Sequence, residues 1–174
     1  MFQTLEKTIM KIIHKACPCV LRRSNTGIDL LVFEHPEAGV QIPKGSVEPG
    51  ESLEAAALRE LYEESGIKSA RLVTKAGQFE RKVGGGPKED GPLENHPWHV
   101  FVLTPKENLP DSWEHKAEGS VAERGLKFNY FWHPLASYDT ENFHPMFVNV
   151  MQMLNDHFEN KPGLTQKLFP MTGV

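Results

Sequence analysis

The chain has 174 residues, of which 39% are hydrophobic and 24% charged. Such a composition is globular, and the length suits a single domain spanning residues 1–174. With 19 Lys+Arg against 23 Asp+Glu, the net charge of −4 lacks the basic surplus of a protein that spreads over nucleic acid, which disfavours nucleic acid as a partner. No apolar run approaches the roughly 20 residues of a membrane span, so no membrane association is expected. The opening stretch MFQTLEKTIMKIIHK lacks an apolar core followed by a small-residue cleavage site, so no secretory signal is expected either. Cys17 and Cys19 flank Pro18. Neighbours so close make a poor bridge, and two ligands do not complete a zinc site. Buried, reduced thiols in a cytoplasmic protein are the expectation.

Residues 15–22 and 28–34 read as strands joined by a Ser24-Asn25-Thr26-Gly27 turn. Pro18 predicts an edge position or a bulge in the first. Residues 40–42 form a short extended piece stopped by Pro43, followed by a Gly- and Pro-rich loop over 44–51. A helix is predicted over 52–65, with Ser52 as N-cap, Gly66 as the stop and Leu53, Ala57, Leu58 and Leu61 as its apolar stripe. A strand follows at 71–81. The triple glycine and three prolines of 84–97 read as a flexible loop, and Arg81, Lys82 and Lys88 make it a candidate phosphate-binding lid. Segments 99–103 and 128–132 read as core strands, with a long polar loop between them. Residues 145–159 carry Phe147, Val150, Met151, Leu154 and Phe158 at helical spacing. An extended tail is predicted over 161–174. Strands, a helix, more strands and a last helix give a mixed α/β class with helices packed on a sheet.

The chemistry concentrates in GSVEPGESLEAAALRELYEESGI, residues 45–67. Glu60, Glu63 and Glu64 fall at i, i+3 and i+4, on one helix face. Their mutual repulsion costs a few tenths of a kcal/mol per pair, and the helix C-terminus is the wrong end for anions. Acidic helix faces are commonly just solvated. Here, however, Gly45 and Gly50 bracket a tight loop into the helix, and Glu51 and Arg59 are placed to tie loop to helix. Clustered carboxylates suit a hard divalent cation, which typically takes one or two of them together with substrate phosphates.

The same run resembles the box of the Nudix hydrolases, G-x5-E-x7-R-E-U-x-E-E-x-G-U with U aliphatic. Gly45, Glu51, Arg59-Glu60, Leu61, Glu63-Glu64 and Gly66-Ile67 fill every specified position. The resemblance implies a Nudix fold, an α/β/α sandwich with a mixed β-sheet. It implies hydrolysis of a nucleoside diphosphate linked to another moiety, with Mg2+ or Mn2+. By position, Glu60, Glu63 and Glu64 become the metal-ligating and catalytic carboxylates, the Lys44 carbonyl a further ligand, and Glu51 with Arg59 the supporting salt bridge. Glu63 or Glu64 would help activate water. Alternatively the base comes from the 105–127 segment, where Glu107, Glu114, Glu118 and Glu123 are candidates and Glu118, beside Gly119, is preferred. Dimers are frequent in the family, so a homodimer is an expectation of the same kind.

The loop wording PKGSVEPGE is similar to that of dinucleoside polyphosphate hydrolases in the family, which favours a small-molecule nucleotide substrate. Nucleotide sugars, ADP-ribose, nucleoside triphosphates and RNA 5′ ends are the alternatives, and a non-catalytic nucleotide-binding module is the reading from another class. Lys44 and Arg81 are candidate phosphate contacts. Trp113 is the candidate ligand-facing ring, and His96 and His99 are further candidates near the Gly-rich loop. Residues 45–67 hold six acids and one base, a net of −5, leaving 18 bases and 17 acids elsewhere, a net of +1. The chain's acidity thus belongs to one segment built to meet cations before it meets phosphate.

Overall fold

A computed structural model describes residues 10–84, 91–119, 123–137 and 139–170. In chain order the strands are β1 (Lys11–Ile12), β2 (Lys15–Ser24), β3 (Gly27–His35), β4 (Gly39–Gln41) and β5 (Gly45–Ser46). Helix α1 (Leu53–Ser65) follows, then β6 (Ala70–Val83), β7 (Glu94–Pro105), β8 (Ser112–Lys116) and β9 (Lys127–Pro134). Helices α2 (Pro145–Glu159) and α3 (Leu164–Leu168) follow.

The strands make one mixed sheet with the path β1-β7-β2-β3-β9-β8, to which β4, β5 and β6 add on β3, β2 and β7. β2 joins its two halves. It runs parallel to β7 over residues 15–20 and antiparallel to β3 over residues 21–24. Pro18 falls where β2 has passed β5, paired at Lys15 and Ala16, and has not yet reached β3. A missing N–H therefore costs little in a strand that is central overall but one-sided at that point. The first hairpin closes at Ser24 and Gly27, as its turn residues indicated.

Alternation along β2 explains the two layers. Cys17, Cys19 and Leu21 face one way and pack with Leu30, Val32, Val100 and Val102 under α2 and α3. Ala16 and Val20 face the other way and pack with Leu31, Phe33, Phe101 and Tyr130 under α1. Both faces are covered, so the strands carry near-continuous apolar runs. The result is the expected α/β/α sandwich. Both thiols are buried and free, and burial holds the Cys19 thiol well above its usual range. Among the described residues, no helix is long and apolar enough to cross a membrane.

Four expectations need correction. Residues 161–170 are not extended: Leu164 and Leu168 are buried in the α2 layer, and the Arg71 guanidinium donates to the carbonyls of Lys167 and Leu168 at 3.2 and 3.0 Å. The apolar anchors fold this segment back as α3. The 105–127 segment contains β8, whose alternating SWEHK pattern pairs with β9. The 84–97 loop is shorter than expected, because residues 94–97 extend β7 against β6. Leu58 leaves the predicted stripe and is exposed, whereas Glu60 and Glu64 are buried on α1.

A polar chain runs from exposed Lys75 on β6, through buried His99 on β7, to exposed His14 just before β2. The Lys75 ammonium can only donate, so it donates to His99 Nδ1 at 3.0 Å. Neutral His99 then carries its proton on Nε2 and donates to His14 Nδ1 at 2.9 Å. Burial, Lys75 and His14 lower the His99 pKa, against weaker opposing pulls from Glu80 and Glu54. Protonation is disfavoured in the fold and unhindered in the unfolded chain near pH 6.5. This contribution is therefore complete above about pH 6.5 and is lost as pH falls toward the lowered folded value. Urea midpoints measured from pH 7.5 to 5 should drop on the acid side, and His99→Asn should flatten part of that slope. An identical slope in the variant would contradict the assignment.

Candidate active site

The site is assembled by the loop entering α1 and by the helix itself. Ser52 caps α1 by accepting from the Ala55 amide at 3.1 Å, and Gly66 ends it with φ +77°. The cap fixes the helix phase, which turns Glu60, Glu63 and Glu64 toward the loop at residues 44–46.

Arg59 knits loop to helix. Its Nε and Nη2 donate to the two oxygens of Glu51, both at 2.9 Å, and Nη2 also donates to the Ser46 carbonyl at 2.8 Å. Its Nη1 donates to Glu60 at 2.8 Å and Glu63 at 3.0 Å. Glu51 in turn accepts from the Glu48 amide at 3.0 Å. The bidentate pair holds Glu51 below the usual carboxylate range and Arg59 above its ordinary value.

The remaining carboxylates sit deeper. Glu64 is 2% exposed and accepts from the Lys44 amide at 3.1 Å. Burial, with the neighbouring charges of Glu123 and Glu60, pushes its carboxyl up to about 8 despite Lys44. Burial also raises Glu60, against the pull of Arg59. The Lys44 ammonium pairs with Glu123 at 3.3 Å. Burial alone would lower its pKa, but Glu64 and Glu123 prevail and raise it.

Lys44, Arg59, Glu60, Glu63 and Glu123 line an open cavity of about 490 Å³ whose described lining is entirely glutamate, lysine, arginine, glycine and serine. Gly45 is required there: a Cβ at this position would lie 1.9 Å from the Glu60 carboxyl carbon. The loop after β8 closes another side, with the Glu118 amide donating to the Glu63 carbonyl at 3.0 Å.

Three clustered carboxylates and a neighbouring main-chain carbonyl are hard oxygen donors, and Glu64 is buried beyond what Lys44 compensates. This donor set fits Mg2+ or Mn2+. Among the described residues, no three His, Cys, Asp or Glu side chains already form a closed cage. The glutamates are held by Arg59 and Lys44.

Several sequence candidates fall together here: Glu60, Glu63, Lys44, Arg59 and Glu118 line the cavity, and Glu51 and Glu64 support it. Glu123 also lines it, whereas Glu107 and Glu114 do not, the latter pairing with Lys127 at 2.7 Å. Trp113 is placed elsewhere. It stacks on Tyr130 at 5.0 Å and donates to the Ser65 carbonyl at 2.9 Å, so its ring fastens α1 to the sheet. Arg81 lies opposite His96 in the β6–β7 ladder and does not line the cavity. His96 pairs with Glu94, and His99 is engaged by His14 and Lys75. Lys88 lies outside the described residues. Lys15, Ser46 and Arg124 also line the cavity. No spacing signal marked them, because only the strand pairing of β2 with β5 and the β8–β9 return bring them here.

A NUDIX domain model matches residues 13–151. The chain belongs to the Nudix family. Diphosphoinositol polyphosphate phosphohydrolase 3-alpha of Mus musculus is 35% identical over 103 residues, covering 58% of this chain and 56% of that protein. RNA pyrophosphohydrolase of Wolbachia pipientis wMel is 28% identical over 104 residues, covering 54% and 52%. The Nudix chain thus spans about half the length of these curated relatives. Among solved structures, a C. elegans Ap4A hydrolase binary complex aligns with a TM-score of 0.54 at 16% identity, over 85% of this chain and 98% of that one. A NUDIX hydrolase from Nitrosomonas europaea gives 0.58 at 18%, over 87% and 91%. At these identities the structural likeness concerns the Nudix fold.

Two substitutions probe this architecture. Arg59→Lys keeps the charge but loses the fork on Glu51, and should destabilise the fold by about 2 kcal/mol in chemical denaturation. Gly45→Ala should displace the Glu60 carboxylate and lower Mn2+ affinity by about tenfold or more in calorimetry. Wild-type affinity in that variant would contradict the close approach.

Proposed function

We propose that this chain is a divalent-metal-dependent hydrolase that cleaves a phosphoanhydride bond. The observation that carries the reading is the convergence of Glu60, Glu63 and Glu123 with Lys15, Lys44 and Arg124 around one open cavity, with Glu64 buried behind it on the Lys44 amide. A phosphoanhydride resists attack because its oxygens are anionic, and catalysis is largely charge neutralisation and positioning. Mg2+ or Mn2+ held by Glu60, Glu63, Glu64 and the Lys44 carbonyl would supply that neutralisation and acidify water. Glu63 is the best placed box glutamate to accept the proton of the attacking water, since it lines the cavity and is the most exposed of the three. Glu118 and Glu123 are the loop acids on the same cavity. Arg59 positions Glu60 and Glu63 from behind. The cavity cations would receive phosphate oxygens of the substrate.

The similarity of the entry loop favours dinucleoside polyphosphates as substrates. The named activities of the relatives widen the class to diphosphoinositol polyphosphates and RNA. The shared element is a phosphoanhydride on a polyanion. The buried free thiols support a reducing, cytoplasmic site of action.

A panel of dinucleoside polyphosphates, nucleotide sugars, ADP-ribose, nucleoside triphosphates, diphosphoinositol polyphosphates and triphosphate-ended RNA, each with Mg2+ and Mn2+, tests this reading by product identity. At least one should be hydrolysed, and Glu63→Gln and Glu64→Gln should each lower kcat by about two orders of magnitude or more with unchanged circular dichroism. Turnover of no member would favour a binding module, and wild-type turnover in both variants would overturn the site.

A further inference from the structure

Two cavity cations are left over once the carboxylates are accounted for. Arg59 is committed to Glu51, Glu60, Glu63 and the Ser46 carbonyl, and Lys44 is committed to Glu123. Lys15, the first residue of β2, is different. Its ammonium donates to Ser46 Oγ at 2.6 Å and has no carboxylate at ion-pair distance among the described residues. Lys44 adds like-charge repulsion to its partial burial. An ammonium has three donors, and only one of those of Lys15, a cavity-lining residue, has a partner among the described residues. Arg124, in the turn between β8 and β9, lines the same cavity, is exposed, and has no ion pair or hydrogen bond among the described residues. At the Lys15 ammonium, Glu60, Glu94 and Glu123 pull the other way without offsetting burial and Lys44, so an anion that enters beside Lys15 is favoured.

None of the cavity's described lining residues is aromatic or even apolar. The tryptophans that might have stacked on a base are engaged elsewhere: Trp98 is in the core against Phe79, Trp113 is on Tyr130, and Trp132 lies under Arg22. Binding a base by stacking needs a ring or an apolar plate, whereas Lys and Arg read phosphate oxygens irrespective of what the phosphates carry.

We propose that Lys15 and Arg124 form a phosphate-gripping subsite beside the glutamates, so that the substrate is selected by its run of phosphates and not by a base. The inference rests on the reading of this cavity as the phosphoanhydride site. It names the substrate class as polyphosphorylated small molecules, with or without a nucleoside. Lys15, fixed by Ser46, takes the phosphate next to the one attacked. Arg124, on the outer turn, takes a more distant one.

The test is a binding measurement that needs no turnover. The full chain, in Mg2+, is titrated calorimetrically with a tripolyphosphate whose bridging oxygens are replaced by methylene groups, and with the adenosine ester of the same compound. Wild type should bind the two within about threefold of each other. Lys15→Gln and Arg124→Gln should each weaken both by about tenfold, and Lys15→Arg, which keeps the charge, should restore most of the affinity lost in Lys15→Gln. Unchanged affinity in either Gln variant would overturn the proposal, as would an adenosine ester bound ten times more tightly than its base-free parent. Because the ligands cannot be cleaved, failure of every natural substrate to react would remove the hydrolase reading without touching this result.

Discussion

The site depends on one guanidinium. Arg59 is the point at which the loop over residues 44–51, helix α1 and two of the box carboxylates meet. Without it, the repulsion among Glu51, Glu60 and Glu63 would push loop and helix apart, since each carboxylate is at least partly buried and poorly screened by water. A lysine could not replace it, because a point charge cannot bond both oxygens of Glu51 while reaching the Ser46 carbonyl and the helix face. The fork fixes the loop, the loop fixes Gly45, and Gly45 admits the Glu60 carboxylate to a place no side chain could share.

The sheet supplies the other half of the geometry. β5 is only two residues long, but its pairing with Lys15 and Ala16 pins the loop to the central strand. The loop's backbone is thereby rigid where it must present the Lys44 amide to Glu64. On the far side, the β8–β9 hairpin carries Glu118, Glu123 and Arg124 to the cavity, and Trp113 bolts that hairpin to α1 through Ser65. An aromatic residue that looked available for a ligand is therefore structural, and its work is to hold that wall of the cavity in place. The charge balance follows the same division. The acids of residues 45–67 come from one contiguous segment, whereas the cations that face them arrive from β2, from the loop and from the β8–β9 turn. In the proposed function, cation binding and phosphate binding fall to different parts of the chain around a single cavity.

That division also explains what the sequence could reveal. Glu60, Glu63, Glu64, Glu51 and Arg59 are local in sequence, joined by helical spacing and one short loop, so periodicity and pattern expose them. So do the caps of α1 and the apolar face of α2. Lys15 and Arg124 are joined to the site only by strand pairings between distant segments, and a lysine at the start of a strand looks like any other. Trp113 and the segment around it were misjudged for the same reason: SWEHK alternates over only five residues within a polar stretch, and its strand character comes from β9. The folding back of residues 164–168 turns on two leucines and a distant arginine, Arg71, whose carbonyl partners are invisible without the tertiary structure.

The central claim is that the box carboxylates, now held by Arg59 and Lys44, form a divalent-cation site. Crystals grown with Mn2+ and measured at the manganese absorption edge address it directly. An anomalous peak is expected within coordination distance of Glu60 and Glu64, with Arg59 still forked onto Glu51 while its contacts to Glu60 and Glu63 lengthen. A cavity with no such peak at saturating Mn2+, or a peak bound only by residues outside it, would contradict the account.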